Sequence, residues 1–139
     1  MSGRSRRFPV AGTAAAVLAA VLLAGCGGND RSDARKTVRE FVQAVNARDA
    51  DKFCDELVTQ AFVEDYTGAT GSDARVQCKR QLRAARGLHV QLLSVGRTEV
   101  HGDRATVDSQ LATQGESHPQ VFRLQKEGGR WRLSSGSTG

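Results

Sequence analysis

A change in the spacing of apolar residues near Gly87 constrains the fold of this chain more than any other feature. Before Gly87, apolar residues recur at intervals of three and four, the spacing of one face of an α-helix. After it, apolar and polar residues alternate, which is typical of a strand with one buried face. Helices followed by strands predict an α+β domain with the helices packed on one face of an antiparallel sheet. At 139 residues the chain has room for one such domain.

The first part predicts three helices, over residues 33–46, about 51–66 and 72–87. Ser32 or Asp33 is suited to cap the first helix, and Gly87 is suited to end the third. Their apolar faces contain Ala34, Val38, Phe41, Val42 and Val45; Phe53, Cys54, Leu57, Val58 and Ala61; and Ala74, Cys78, Leu82 and Ala85.

The second part predicts four strands, over residues 88–99, 105–111, 121–125 and 131–134. In the first strand, Leu93 and Val95 have the opposite parity from Val90 and Leu92, which predicts a β-bulge or burial on both faces. The connections are a tight Gly102–Asp103 turn, a polar segment over 114–119 and a hairpin loop over 126–130.

The amino terminus has the pattern of an export signal. Arg4, Arg6 and Arg7 precede an uninterrupted apolar run over residues 14–24. A membrane-spanning helix needs about 20 apolar residues, whereas the apolar part of a signal peptide needs about 7–15. The run therefore predicts export. An ordinary secretory signal and an uncleaved anchor are the alternatives to the interpretation that follows.

The run ends in Leu23-Ala24-Gly25-Cys26, which resembles the lipobox of bacterial lipoproteins. The resemblance implies that the Cys26 thiol receives a diacylglycerol and that residues 1–25, the signal peptide, are removed. Residues 26–32 would then form a flexible tether. Two or more acyl chains give stable attachment, so we expect a protein anchored in membrane lipid through Cys26, on the extracytoplasmic face of the cell membrane.

The charge of the chain gives no support to a nucleic-acid partner. The whole sequence has 20 Lys and Arg against 15 Asp and Glu, a net charge of +5. Three of those arginines lie in the predicted signal peptide, and without them the net charge is +2. So small an excess gives no special attraction to nucleic acid.

The cysteine count agrees with export. If Cys26 carries lipid, Cys54 and Cys78 remain as a pair in an oxidising compartment, where a disulfide is expected. The sequence has no C-x-x-C pair and no His at ligand spacing from either cysteine, so no metal site is predicted. Two buried free thiols remain the alternative.

Three segments carry a resemblance to the NTF2-like superfamily, also called SnoaL-like or cystatin-like cone proteins, and most closely to small exported lipoproteins of actinobacteria. They are residues 38–51, 100–107 and 124–133, together with the cysteine pair. The likeness covers about residues 33–135, and we assign the domain to 33–136. It implies a cone of helices packed on a curved antiparallel sheet.

Some members of that superfamily are enzymes with a carboxylate base and a Tyr, Asp or Arg partner inside the cone. The nearest candidates here are Asp108 with Tyr66, or the strand residues His89 and His101. Strand parity directs Asp108 to solvent, His101 adjoins a turn, and His118 lies in a polar segment. We therefore assign no catalytic residue, metal or cofactor. An aromatic content of 5% also leaves little material for an apolar cage.

Two surfaces could serve partners. The basic run over 79–86 either faces anionic lipid headgroups or is the solvated back of a helix. The exposed sheet face, with Asp108, Gln110, Arg123 and Arg132, could pair two copies in a homodimer.

Together these patterns predict a membrane-anchored, non-catalytic lipoprotein that binds a small ligand or an envelope protein partner. The alternative is an enzyme of isomerase or cyclase type that uses the cone pocket. A third interpretation is an accessory domain of a larger envelope complex. The role rests on analogy of fold, which is weak evidence for function.

Overall fold

The computed structural model describes residues 27–134. Their element order is three α-helices with a π-helical segment after the first, then four strands. The elements are α1 Gly27–Ala47, a π-helix Lys52–Leu57, α2 Gln60–Thr67, α3 Gly71–Ala84, β1 Val90–His101, β2 Arg104–Thr113, β3 Glu116–Glu127 and β4 Arg130–Leu133. The predicted signal peptide and Cys26, the predicted site of lipidation, lie outside the described residues.

Helix α1 is longer than predicted, because it begins at Gly27. The flexible tether predicted over residues 27–32 is therefore wrong for this segment, which forms the first turns of the helix. Asp30 lies in the first turn, where an acidic side chain favours a helix. Its carboxylate also accepts a hydrogen bond from Lys126 Nζ at 2.7 Å, which fixes the helix start on the sheet.

The second predicted helix is divided into two. After the π-helix, Val58 is extended and pairs with Leu133 of β4 in a parallel bridge. The Thr59 amide donates to the Leu133 carbonyl at 2.9 Å, and the Thr59 hydroxyl accepts from the Phe62 amide at 3.1 Å to cap α2. Pairing with the edge of the sheet thus interrupts the helix. One consequence is that Ala61, predicted on the buried face, is exposed.

The four strands form one antiparallel sheet in the order β1-β2-β3-β4. Strand β1 contains two register shifts against β2, between Leu92 and Ser94 and between Val95 and Thr98. The first confirms the predicted bulge. Bulges increase the local twist of a strand, and here they lie in β1, the strand to which Arg35 and Asn46 of α1 donate hydrogen bonds.

The polar segment over 114–119, predicted as a connection, is a two-residue turn followed by the start of β3. Gln114 and Gly115 both have positive φ and make a tight turn, so β3 begins at Glu116. Pro119, which lacks an amide donor, is paired with Gln110 of β2 at a position that β4 does not reach. A proline is tolerated at such a half-free position in a strand. The loop predicted over 126–130 is likewise shortened to a turn at Gly128 and Gly129.

The hydrophobic core lies between the helices and one face of the sheet. It draws Val38 and Val42 from α1 and alternate residues from β2 to β4. Its largest fully buried side chains are Leu124, Leu133, Val38, Val58, Val63, Val107, Cys54 and Cys78. The predicted disulfide is confirmed: Cys54 Sγ and Cys78 Sγ lie 2.08 Å apart and join the π-helix to α3. No helix within residues 27–134 is long and apolar enough to cross a membrane.

Candidate ligand-binding pocket

A pocket of about 630 Å³ lies between the helices and the concave face of the sheet, near the carboxyl end of α1. Its walls come from every layer of the domain, including the π-helix, α2, α3 and strands β1 to β4. The lining residues are Phe41, Val45, Phe53, Phe62, Asp65, Tyr66, Leu82, Leu88, Val90, Leu111, Gln120, Phe122 and Leu133. The core side chains therefore leave the cone hollow at this end.

Aromatic rings dominate the lining. The described chain contains six aromatic residues, and all except Trp131 line the pocket. Phe41 stands at the centre, with its ring centroid 5.1 Å from that of Phe53, 5.7 Å from Phe122 and 6.4 Å from Phe62. These separations are those of favourable ring contacts. The expectation that the aromatic content is too low for an apolar cage is wrong, because nearly all of it is concentrated here.

The pocket has a buried floor and an exposed mouth. Leu133 and Phe122 are buried at the floor, whereas Tyr66 and Leu88 each expose 47% of their surface at the mouth. Large apolar side chains grouped at a cavity mouth indicate a surface that something else covers. Tyr66 stacks on Phe62, with ring centroids 6.3 Å apart, so the aromatic wall continues from the floor to the mouth.

Asn46 fixes the position of the mouth. Its Nδ2 donates to the Val90 carbonyl at 2.7 Å, and its Oδ1 accepts from the Val90 amide at 2.8 Å. This double hydrogen bond joins the last turn of α1 to the first residue of β1. Since Leu88 and Val90 both line the pocket, Asn46 determines where that side of the mouth lies.

The polar groups of the pocket are few. The polar side chains in its lining are Asp65 and Gln120, and the hydroxyl of Tyr66 is a third polar group. Asp65 is exposed at the carboxyl end of α2, and Gln120 is half-buried on β3, where its Nε2 donates to the Val121 carbonyl at 3.1 Å. Among the described residues, no Lys, Arg or His lines the pocket.

The side chains considered for catalysis do not meet in this pocket, with the exception of Tyr66. Asp108 is exposed, as its parity predicts, and is absent from the lining. His89 and His101 are exposed, and half-buried His118 lies outside the lining as well. The carboxylate that does line the pocket, Asp65, was not identified from the sequence. Its position three residues after Phe62 and next to Tyr66 is the available signal.

A charged cluster supports the pocket wall from behind. Lys79 Nζ lies 2.7 Å from Asp55 Oδ2 and 3.0 Å from Asp51 Oδ1, and Arg83 lies 3.2 Å from Asp51. The hydrogen bonds that Lys79 donates to the Asp55 and Asp51 carboxylates raise the pKa of Lys79, and the one that Asp51 accepts lowers the pKa of Asp51. Lys79 and Arg83 of the basic run over 79–86 therefore form ion pairs with Asp51 and Asp55, at the start of the π-helix and within it. The run is not simply the solvated back of a helix.

Within the part of the chain that the structure describes, no group of three or more His, Cys, Asp or Glu side chains is placed to hold a metal ion. The pocket accordingly offers apolar surface, one carboxylate, one amide and one phenol. It can bind a ligand mainly through apolar contacts and a matching shape, with a few polar groups to orient the ligand.

Comparisons with known proteins find resemblance in structure alone. Neither a family model nor a curated protein matches the chain. A protein assigned as a scytalone dehydratase, from Novosphingobium aromaticivorans, superposes with a TM-score of 0.51 at 14% identity, over 80% of this chain and 83% of the other. This likeness concerns the fold.

Two further structures give lower scores. A protein assigned as a ketosteroid isomerase, from Kribbella flavida, has a TM-score of 0.47 at 23% identity, over 76% of this chain and 77% of the other. A protein assigned as a polyketide cyclase, from Sinorhizobium meliloti, has a TM-score of 0.48 at 24% identity, over 71% of this chain and 92% of the other.

Proposed function

For a chain with the NTF2-like fold, helices followed by a curved antiparallel sheet, we propose a binding function: the pocket holds a small, mainly apolar molecule. The observation that carries this proposal is the hollow, aromatic-lined cavity of about 630 Å³. Ligand pockets in proteins commonly have volumes of about 300–1,000 Å³, with apolar walls and a few polar groups. Burial of a ligand's apolar surface against these rings would supply most of the binding free energy.

A matched pair of leucine substitutions tests the binding proposal. Leu88 at the mouth and Leu93 on β1 are equally exposed, at 47%, but only Leu88 lines the pocket. The probe ligand is naphthylmethanol, a neutral molecule with an aromatic body. We expect Leu88→Ala to weaken its binding about fivefold, because apolar contact with the ligand is lost. Leu93→Ala should leave the affinity unchanged. Equal effects of the two substitutions, or no binding to the wild-type chain, would exclude the pocket as the binding site.

The second candidate is an enzyme of isomerase, dehydratase or cyclase type, the activities named for the structural neighbours. One observation favours it: Asp65 and Gln120 belong to the same pocket lining, so a carboxylate and an amide face one cavity. A general base must lie within hydrogen-bond reach of the proton that it removes. Turnover of a pocket-bound substrate that Asp65→Asn abolishes, while binding persists, would establish this candidate over simple binding.

We also propose that the chain is exported and anchored in membrane lipid through acylated Cys26. The lipobox-like residues 23–26 and the apolar run before them support this proposal. Cys26→Ser should release the protein from the membrane fraction or block cleavage of the signal, and should abolish incorporation of labelled palmitate. A processed Cys26→Ser protein that stays in the membrane would refute the proposal. An envelope protein partner and a homodimer remain predictions.

A further inference from the structure

We infer that the pocket selects its ligands by charge, and that Asp65 makes it prefer apolar molecules ending in an ammonium group over apolar carboxylates. This inference rests on the proposed binding function and goes beyond it by naming the chemical class of the ligand. The preferred ligand has an aromatic or aliphatic body that fills the cavity and a cationic end that stays at the mouth.

The first argument is the charge of the lining. Asp65 is the one charged side chain among the lining residues, and it has no ion-pair partner within residues 27–134. A ligand cation a few ångströms from this carboxylate would gain Coulomb energy, and a ligand carboxylate would be repelled by it. Hydrogen bonds from a cationic side chain are the strongest contacts that a ligand carboxylate can make, and the lining has no Lys, Arg or His to donate them.

The second argument is the backbone around the mouth. Asp65 and Tyr66 lie in the last turn of α2, and Val45 lies in the last turn of α1. The carboxyl end of a helix carries a negative partial charge from its unpaired carbonyl groups. Two helices therefore end at the mouth and add to the negative potential that Asp65 sets.

Neighbouring groups of α2 favour the same sign. Glu64 accepts hydrogen bonds from Gln60 Nε2 and the Gly71 amide, both at 2.9 Å. These hydrogen bonds lower the pKa of Glu64 and keep it anionic beside Asp65 in sequence. The exposed ring of Tyr66 adds a π-face, on which an ammonium group can rest.

Basic residues do occur in the segments that border the mouth. Arg48 follows α1, and Arg86 and His89 flank Leu88; all three are exposed. These basic side chains do not line the cavity, whereas Asp65 does, so Asp65 is the charged group that a ligand in the cavity contacts.

Three ligands of the same shape test the inference: naphthylmethylamine, naphthylmethanol and naphthoate, which are cationic, neutral and anionic. The full chain is placed in phosphatidylcholine nanodiscs, and binding is measured by equilibrium dialysis against empty nanodiscs. We expect the amine to bind about five- to tenfold more tightly than the carboxylate, with the alcohol between them. Asp65→Asn should bring the amine and the carboxylate within about twofold of each other and change the affinity for the alcohol less than that for the amine.

Asp108→Asn is the matched control, because it makes the same chemical change at an exposed carboxylate outside the pocket. It should keep the wild-type order of affinities. Equal binding of amine and carboxylate to the wild-type chain, or an order that persists in Asp65→Asn, would overturn the charge preference while leaving the binding function intact. Failure of the neutral alcohol to bind would overturn the binding function itself, and the inference with it.

Discussion

The two ends of helix α1 are built on opposite principles. At the amino end, an ion pair holds the helix against the sheet: Asp30 bonds Lys126 at 2.7 Å, and the Lys126 ammonium lies 5.5 Å from the centre of the Trp131 ring. At the carboxyl end, the double hydrogen bond of Asn46 borders a cavity whose mouth exposes Tyr66 and Leu88. One end is closed by specific contacts, and the other is left open.

The difference teaches which end serves stability and which serves binding. The amino end has the features of a site that fixes one conformation, since Asp30 and Lys126 are paired and the Trp131 ring is buried. The carboxyl end keeps apolar side chains in contact with water, an arrangement that folding alone does not favour. About 16 residues separate Asp30 from Asn46, which corresponds to about 24 Å along the helix. If Cys26 is anchored as proposed, the mouth therefore lies far from the anchored end.

The largest expected effect comes from removing the disulfide behind the pocket wall. Cys54 and Cys78 are 24 residues apart and tie the π-helix to α3, beside the lining residues Phe53 and Leu82. The double substitution to alanine should lower the free energy of unfolding by about 3 kcal/mol, because the unfolded chain regains conformational freedom. Chemical denaturation of both proteins measures the loss.

Reductant provides the control for this prediction. It should destabilise the wild-type protein by a similar amount and leave the double alanine variant unaffected. A loss below about 1 kcal/mol would mean that the wall at the open end is held by packing and ion pairs without help from the covalent link.

The second effect sharpens the comparison at the mouth itself. Asn46→Ala removes both hydrogen bonds to Val90, so that the amide and the carbonyl of Val90 lose these partners. We expect a loss of about 2 kcal/mol in the free energy of unfolding, together with weaker binding of naphthylmethanol. Gln43→Ala, at an exposed position one turn earlier on α1, should change neither quantity. Loss of stability with unchanged ligand affinity would show that Asn46 does not shape the mouth.

The sequence predicts the architecture well where a local pattern determines it. The stripe of the first helix, the bulge near Leu93, the Gly102–Asp103 turn and the pairing of Cys54 with Cys78 follow from periodicity and from the cysteine count, and the structure confirms each of them. The resemblance implies helices followed by a curved antiparallel sheet, and this α+β order is confirmed.

The features that the sequence did not predict depend on contacts between distant residues. The helix break at Val58 comes from pairing with Leu133, and the early start of α1 comes with the contact between Asp30 and Lys126. The pocket has the same origin. The ring of Phe41 and its three partner rings, from three other elements, converge only after folding, so an average aromatic content cannot reveal the cage. Asn46 could be singled out as a helix exit, but its partner Val90 could not be identified.

The third effect tests the hydrogen bonds that join α1 to β1 through Arg35. Arg35 Nε donates to Thr98 Oγ1 and Arg35 Nη2 donates to the Gly96 carbonyl, both at 2.8 Å, where β1 shifts register. Arg35→Ala should cost about 1 kcal/mol of unfolding free energy, since the guanidinium is partly in contact with solvent. Arg39→Ala, one turn later and exposed, is the matched control and should have almost no effect. Equal effects would remove the distinction between this contact and ordinary helix surface.

The smallest expected effect is a change in pH dependence at the closed end. The hydrogen bond and charge of Lys126 lower the pKa of the Asp30 carboxyl below its usual range. A carboxyl whose pKa is lowered by folding contributes stability above its unfolded pKa, and that contribution is lost as the pH falls through the folded value. Asp30→Asn should therefore be less stable than wild type at neutral pH, and the gap should close in acid. Thermal unfolding from neutral pH to about pH 2 measures it. Asp108→Asn, at an exposed carboxylate, is the control, and its difference in stability from the wild type should not shrink in acid. If the two differences shrink alike, the ion pair does not hold the amino end of α1, and the contrast between the two ends of the helix is lost.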